Sequence, residues 1–160
     1  MKQLVAEIEA ILDQALPSAQ VMPSVLHESM RYSTLGGGKR LRALLAMAAC
    51  AAVGGEIRNT SSLVAAIEMV HAYSLIHDDL PCMDDDDLRR GKPTNHIVYG
   101  EAIAVLAGDA LLTEAFAELA KMPDKYGISY ETTVRVILEL AHGAGSQGMV
   151  GGQVMDISSQ

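Results

Sequence analysis

The sequence predicts an all-α fold, and three observations carry that prediction. Alanine (22) and leucine (18), both strong helix formers, together fill 40 of the 160 positions. Aromatic residues make up only 4%, whereas strands are usually rich in aromatic and β-branched side chains. Apolar residues also recur at steps of three and four, with no alternation of strand and helix patterns along the chain.

The elements follow in order. Leu4, Ile8, Ile11, Leu12 and Ala15 mark one face of a first helix. A second runs from Pro23 to Leu35 and is ended by Gly36-Gly37-Gly38; a third, Lys39 to Val53, is stopped by Gly54-Gly55. A long fourth helix begins near Asn59-Thr60-Ser61, whose side chains are good N-caps, and passes through Val64, Ile67, His71 and Leu75 to a run of aspartates. Pro81 disturbs it there, because it lacks an N–H and its ring crowds the preceding turn. Gly91-Lys92-Pro93-Thr94 reads as a turn, Glu101 to Lys121 as a helix, Pro123 to Gly127 as a loop, and Ser129 to Ile157 as a glycine-interrupted helix. None of these segments closes a core alone, so they are expected to pack as a bundle forming a single domain over 1–160, with no repeat or linker. Val154-Met155-Asp156-Ile157 still reads as a helix in progress, as in the N-terminal part of a longer bundle.

Composition removes several classes of function. Apolar residues are 49% and charged residues 20% of the chain, with no apolar run long enough for a bilayer, which argues against disorder and against a membrane protein. Met1 to Leu16 carries Glu7, Glu9 and Asp13 and lacks a basic segment with a cleavage site, so no secretory signal is expected and a cytoplasmic address is. Cys50 and Cys82 form neither a disulfide framework nor a zinc spacing and are read as reduced thiols.

Charge points to the site. The net charge is −8, yet six of the ten residues from Asp78 to Asp87 are aspartates, and the rest of the chain is near neutrality. Half of the twelve bases cluster at Lys39, Arg40, Arg42 and at Arg89, Arg90, Lys92. Two such poles suit a ligand that pairs phosphate with a cation. The acidic run fails as an EF-hand, because counting from Asp84 the sixth and twelfth positions are Arg89 and Asn95 rather than Gly and Glu. Arginines directly behind carboxylates instead suit an anion held between magnesium and cationic side chains.

Spacing selects residues within the poles. Asp78 and Asp84 lie about 240° apart on an ideal helix, so a bulge at Pro81 is expected to turn Asp84 back toward Asp78. His71, seven residues before Asp78, shares its helix face. Lys39 and Arg42, three apart at a helix start, are expected to share a face from which Arg40 is turned by about 100°. The glycines before them and the helix N-terminus add an anion-binding dipole. Gly38-Lys39 is not a Walker loop. Gly143-Ala144-Gly145-Ser146-Gln147-Gly148 spells the dinucleotide fingerprint without its strand-and-helix context, and close helix packing is the expected role of these glycines and of Gly108.

Together these stretches resemble the trans-prenyltransferase (polyprenyl synthase) family, with bacterial farnesyl diphosphate synthases matching over essentially the whole chain. They are Gly37-Gly38-Lys39-Arg40-Leu41-Arg42, then His77 through Thr94, Gly108-Asp109-Ala110-Leu111-Leu112, and Gly151-Gly152-Gln153. The resemblance implies the all-α prenyl-synthase bundle, incomplete at its C-terminus, and a cytoplasmic homodimer that uses neither nucleic acid nor membrane as partner. It implies Mg2+ as cofactor, with Asp78 and Asp84 as metal ligands and Asp79 as a helper. It assigns Lys39, Arg42, His71 and Arg90 to the diphosphate of isopentenyl diphosphate and Arg89 to that of the allylic substrate, with Gln153 and Asp156 facing the same cavity. The implied reaction condenses isopentenyl diphosphate with dimethylallyl or geranyl diphosphate through an allylic carbocation to give farnesyl diphosphate. Tyr73, five residues before Asp78, is expected to floor the tail pocket. An aromatic there, together with the insertion Pro81-Cys82, goes with a C15 product in the resembling enzymes. The family's second aspartate-rich motif has no match before Gln160, so the 160 residues alone are expected to lack turnover. Alternatives are a geranylgeranyl or geranyl diphosphate synthase of the same family, a non-catalytic diphosphate-binding or partner subunit, and a metal phosphohydrolase using His27, His77, Asp78 and Asp109.

Overall fold

Helix α4 (Ser61–Asp78) is the axis of the fold, and its sequence explains why. Its buried residues, from Ser62 and Val64 through Met69, Tyr73 and Ile76, occupy nearly every side of the helix, as expected of a helix surrounded by others. Helix α6 (Glu101–Ala120) packs along it. The stripe Ala104, Ala107, Gly108, Leu111, Ala115 and Leu119 faces inward at helical spacing, and its small members let the two backbones approach closely. Around this pair lie α1 (Lys2–Ala15), α2 (Ser24–Thr34), α3 (Leu41–Ala52) and α8 (Tyr130–Ala144). The core is centred on Ile8, Leu12, Met30, Met47, Met69, Ile76, Leu111 and Leu119. The structure is a computed structural model and describes residues 2–159; Met1 and Gln160, which bound two of the sequence readings, lie outside them. No described helix is long and apolar enough to cross a membrane.

Several boundaries differ from the sequence reading. The third helix begins at Leu41, not Lys39, because Arg40 takes a left-handed conformation (φ 49°, ψ 32°) in front of it. Lys39 therefore does not share a helix face with Arg42. The fourth helix is entered through a 3-10 turn, Ile57–Thr60, and Thr60 makes no side-chain cap; its hydroxyl donates back to Ile57 O at 2.6 Å. It ends at Asp78, so Pro81 lies beyond the helix rather than in a bulge within it. The supposed loop at Pro123 contains a short helix, α7 (Met122–Tyr126), with Pro near its N-terminus where a missing N–H costs nothing.

Between α4 and α5 (Asn95–Tyr99) the expected turn is a small antiparallel hairpin, β1 (Leu88–Arg89) with β2 (Lys92–Pro93), pairing Leu88 with Pro93 and Arg89 with Lys92. Arg90 (φ 54°) and Gly91 (φ 76°) form its two-residue turn, where positive φ at both positions suits the strands' twist. The glycine-rich stretch after α8 breaks the long last helix, and α9 (Met149–Ser159) follows as a separate helix. Its glycines serve that break. A Cβ at Gly145, Gly148 or Gly151 would meet carbonyls of this stretch itself. Gly108 does serve helix packing, since a Cβ there would overlap the His77 ring.

Candidate functional site

The acidic corner is made where α4 stops. Asp79 N still donates to Leu75 O, and then the chain folds back on the helix end: Asp84 N donates to Asp78 O at 2.9 Å and Asp86 N to Asp79 O at 3.2 Å. This loop, with Asp85 at positive φ, brings Asp84 beside Asp78, as the sequence required, by a tighter route than a bulge. Burial, then the charge of Asp84, hold the Asp78 carboxyl above its ordinary value, against the pull of Arg89 and of a hydrogen bond donated by Gln153. Asp79 is buried and takes Arg89 Nε at 2.6 Å. Arg89 also lies 3.5 Å from Asp86 and 3.9 Å from Asp78. The hydrogen bond to Asp79 is the main reason its guanidinium stands above its ordinary value. The helper carboxylate and the allylic arginine of the sequence reading are thus partners of one another.

The cationic pole surrounds a cavity of about 400 Å3 lined by Lys39, Arg42, His71 and Arg90, with Glu68 behind them. All four residues assigned to one diphosphate from sequence line it. Gly38 (φ 154°) leaves room for Arg90, whose guanidinium donates to Gly37 O; a Cβ at Gly38 would meet that guanidinium. Tyr32 O–H donates to Pro93 O at 2.8 Å and braces the hairpin that carries Arg89 and Arg90 against α2. Burial, then Arg42, hold the His71 imidazole below its ordinary value, with Arg90 and Arg40 adding and Glu68 opposing.

A second cavity, of about 460 Å3, lies between α4 and α9. Asp78 and Gln153 stand in its wall with Tyr73, Met83, Met149, Val154 and Ile157. Gln153 donates to Asp78 Oδ1, so it reaches the acidic corner, whereas Asp156 is exposed and lines neither cavity. Tyr73 is 8% exposed and its ring sits edge-on to His77. Counting around α4, residues 73, 77, 74, 78, 71 and 75 fall on successive directions. The two cavities therefore occupy adjacent stripes of one helix, with Asp78 and His71 on the seam.

Among the described residues, no group of three His, Cys, Asp or Glu is placed to hold a metal ion. Asp78 and Asp84 nonetheless fit Mg2+. They are hard oxygen donors crowded together at a partly buried corner, and Mg2+ takes one or two carboxylates, completing its shell with waters and substrate phosphates. His77 Nε2 lies 3.0 Å from Val105 O, spent on backbone rather than available to a metal. The dinucleotide fingerprint sits at a helix end with no strand before it.

The sequence pattern of the polyprenyl synthetase family matches residues 23–160. The chain belongs to that family. Its similarity to individual members is high: 52% identity over 163 aligned positions to the heterodimeric geranylgeranyl pyrophosphate synthase large subunit 1, chloroplastic, of Arabidopsis thaliana, covering 100% of this chain and 43% of that protein. It is 51% identical to the chloroplastic geranylgeranyl pyrophosphate synthase of Capsicum annuum, over 98% of this chain and 42% of that one. The fold is that of the family's solved structures. An FPP/GFPP synthase from Zymomonas mobilis superimposes with a TM-score of 0.91 at 43% identity, covering 98% of this chain and 56% of that chain. A geranyltransferase from Legionella pneumophila gives 0.90 at 35% identity with the same coverage. The chain spans less than half the length of these curated polyprenyl synthetase relatives. These curated relatives are plant proteins, while the two solved structures come from Zymomonas mobilis and Legionella pneumophila, so the likeness is to the family at large.

Sequence reasoning missed one group in this region. Arg40, set aside as turned away, is buried in a network with Glu9, Glu68 and Thr34 O. The available signal was Glu68, the one acid in the mostly apolar run from Leu63 to Ile76 and three residues before His71.

Proposed function

We propose that the protein carrying this chain is a prenyltransferase that condenses isopentenyl diphosphate with allylic diphosphates. One observation carries the reading: a cationic cavity and an apolar cavity with a carboxylate corner lie on adjacent stripes of α4. That is the arrangement needed to hold one diphosphate by side chains and a second, with its hydrocarbon tail, by a metal. Lys39, Arg42, His71 and Arg90 bind isopentenyl diphosphate. Arg89, oriented by Asp79, meets the allylic diphosphate, and Gln153 orients Asp78. Mg2+ held by Asp78 and Asp84 supplies Lewis-acid neutralisation of the leaving group.

In the reaction the allylic C–O bond breaks and diphosphate departs with the electron pair. The double bond of isopentenyl diphosphate attacks the resulting cation, and transfer of a proton to the departed diphosphate restores an alkene. Tyr73, Met149, Val154 and Ile157 offer the allylic tail an apolar wall. No protein nucleophile is required.

The product follows from the length of the tail cavity, and Tyr73 at its wall supports farnesyl diphosphate, C15. The printed names of the curated relatives support a second reading, geranylgeranyl diphosphate, C20. Identity over the whole chain decides little here, because product length responds to the one or two side chains that close the cavity. Exposed Ile97 and Val98 on α5, with Val105 and Leu106 on α6, support a homodimer, which we place in the cytoplasm. Incubating the full-length protein with Mg2+, isopentenyl diphosphate and geranyl diphosphate, with mass detection of the products, tests the reading. C15 as the end product supports it, C20 supports the second reading, and absence of condensation removes both.

A further inference from the structure

The chain passes through Arg40 in a left-handed conformation, φ 49° and ψ 32°, which is unfavourable for any residue with a side chain. Something must hold it there. The guanidinium is deeply buried and each of its nitrogens is engaged: Nε donates to Glu9 Oε1 at 2.8 Å and one terminal nitrogen to Glu68 Oε2 at 3.0 Å. The other terminal nitrogen donates to Glu9 Oε2 at 3.0 Å and to Thr34 O at 2.7 Å. The second Glu68 oxygen accepts from Ala43 N at 3.3 Å, in the first turn of α3. Burial pulls the guanidinium down, but its hydrogen bonds to Glu9 and Glu68 outweigh that and leave it above its ordinary value.

The left-handed turn has a consequence for its neighbours. Lys39 stands before the helix and Arg42 within it, so no common helix face aligns them. They nevertheless line the same cavity. The turn at Arg40 is what brings them together, and the two carboxylates hold the turn. Electrostatics points the same way, since Arg40 lies beside a cavity already lined by Lys39, Arg42 and Arg90, and without Glu9 and Glu68 it would be repelled from its place. Glu68 comes from α4, but Glu9 comes from α1, outside the stretch 23–160 that the family pattern covers.

We propose that Glu9 and Glu68 are positioning residues of the diphosphate site, acting through Arg40 to set Lys39 and Arg42 on one anion, so that α1 is part of the substrate-binding apparatus. This rests on the reading that the cationic cavity takes isopentenyl diphosphate. Both carboxylates are spent on the turn rather than on the anion: Glu9 on Arg40, and Glu68, at the cavity's edge, on Arg40 and Ala43 N. Their loss misplaces the cations without removing them, which weakens one substrate and spares the chemistry.

The test uses the full-length protein with Glu9→Gln, Glu68→Gln and Arg40→Lys, and with Glu7→Gln, an exposed acid of the same helix, as control. Each of the first three is expected to raise KM for isopentenyl diphosphate about 10-fold, the scale of a small misplacement of binding groups, with kcat and the allylic KM unchanged. Titration calorimetry with isopentenyl diphosphate should show the same loss, and Glu7→Gln none. Arg40→Lys keeps the charge but not the fork, so it separates geometry from charge. A uniform fall of kcat and both KM-dependent rates together with melting temperature would reduce the network to general stability and overturn the proposal, as would an unaltered isopentenyl diphosphate KM in Glu9→Gln. Glu9 is 33% exposed at its side chain, so that variant folds and decides the matter even where Glu68→Gln does not. Failure of the unaltered protein to bind isopentenyl diphosphate is a separate result: it removes the substrate reading itself, and the proposal with it.

Discussion

Asp78 and Asp84 differ from the other aspartates of the run by where the loop puts them, since the bond from Asp84 N to Asp78 O joins their backbones while Asp86 points at Arg89 with half of its side chain in solvent. In the full-length enzyme Asp78→Ala and Asp84→Ala should each lower turnover by at least ~100-fold, the scale of one strong electrostatic contact at a reacting centre. Asp86→Ala should lower it far less. Steady-state rates at saturating Mg2+ check this, and equal losses at all three positions would show that bulk charge, not placement, makes the corner. His71 gives a pH signature. Its folded value is depressed by burial, then by Arg42, with Arg90 and Arg40 adding and Glu68 opposing. The unfolded chain therefore takes the proton first on acidification. Its share of stability is present above about pH 6.5, the usual histidine value, and is lost as pH falls toward the depressed folded value. Melting temperature should thus decline less between pH 7 and pH 5 in His71→Gln than in the unaltered protein. Parallel curves would place the imidazole in a water-like setting.

The elements test what holds the site. Lys39→Ala and Arg42→Ala should each weaken isopentenyl diphosphate binding about 10-fold, the lower end for charged hydrogen bonds, since both groups are exposed at the cavity. Arg40→Ala is not the neutral control that a turned-away helix position suggested. It strips the buried Glu68 of its cation and should cost about 3–5 kcal/mol of stability, read by denaturant unfolding. Gly108→Ala drives a methyl into His77, one residue before Asp78, and should cost about 1–3 kcal/mol as α4 and α6 are forced apart. These cases also mark what the sequence could tell. The long helices α1 to α4 and α6 were legible because they follow from local periodicity, whereas the short α5 and α7 and the break between α8 and α9 were not. The candidate ligand-binding residues could be nominated because motif and charge fall within short stretches, and Lys39, Arg42, His71 and Arg90 line one cavity. The start of α3, the stop of α4 before Pro81 and the burial of Arg40 were not legible. The first and last are decided by contacts far along the chain, 31 residues apart for Arg40 and Glu9, and the stop of α4 by the fold-back bonds from Asp84 and Asp86. Met149, Val154 and Ile157 were missed for a related reason: their stripe looks like ordinary core until α9 is seen to leave a cavity against α4.

At the scale of the whole molecule, product length depends on how far a tail can run between α4 and α9 before it meets a ring. In the proposed reading the diphosphate end sits at Asp78, and Tyr73 lies five residues back, about 7.5 Å along the helix. Its ring is almost fully buried and is propped edge-on by His77, 5.3 Å between centroids, so it cannot easily swing aside. Ser74 lines the same cavity one position nearer Asp78 but is too small to block it. Two substitutions should therefore move the product in opposite directions. Tyr73→Ala removes the ring and should lengthen products to C20 and beyond, while Ser74→Phe places a ring nearer the diphosphate and should stop elongation earlier. Both leave the diphosphate contacts intact, so the first condensation should persist, and product distribution per turnover is the readout. A folded Tyr73→Ala enzyme whose products still end where those of the unaltered enzyme end would move the stop from α4 to another wall. Because α9 supplies the facing wall, Val154→Phe would then be the variant to shorten the chain.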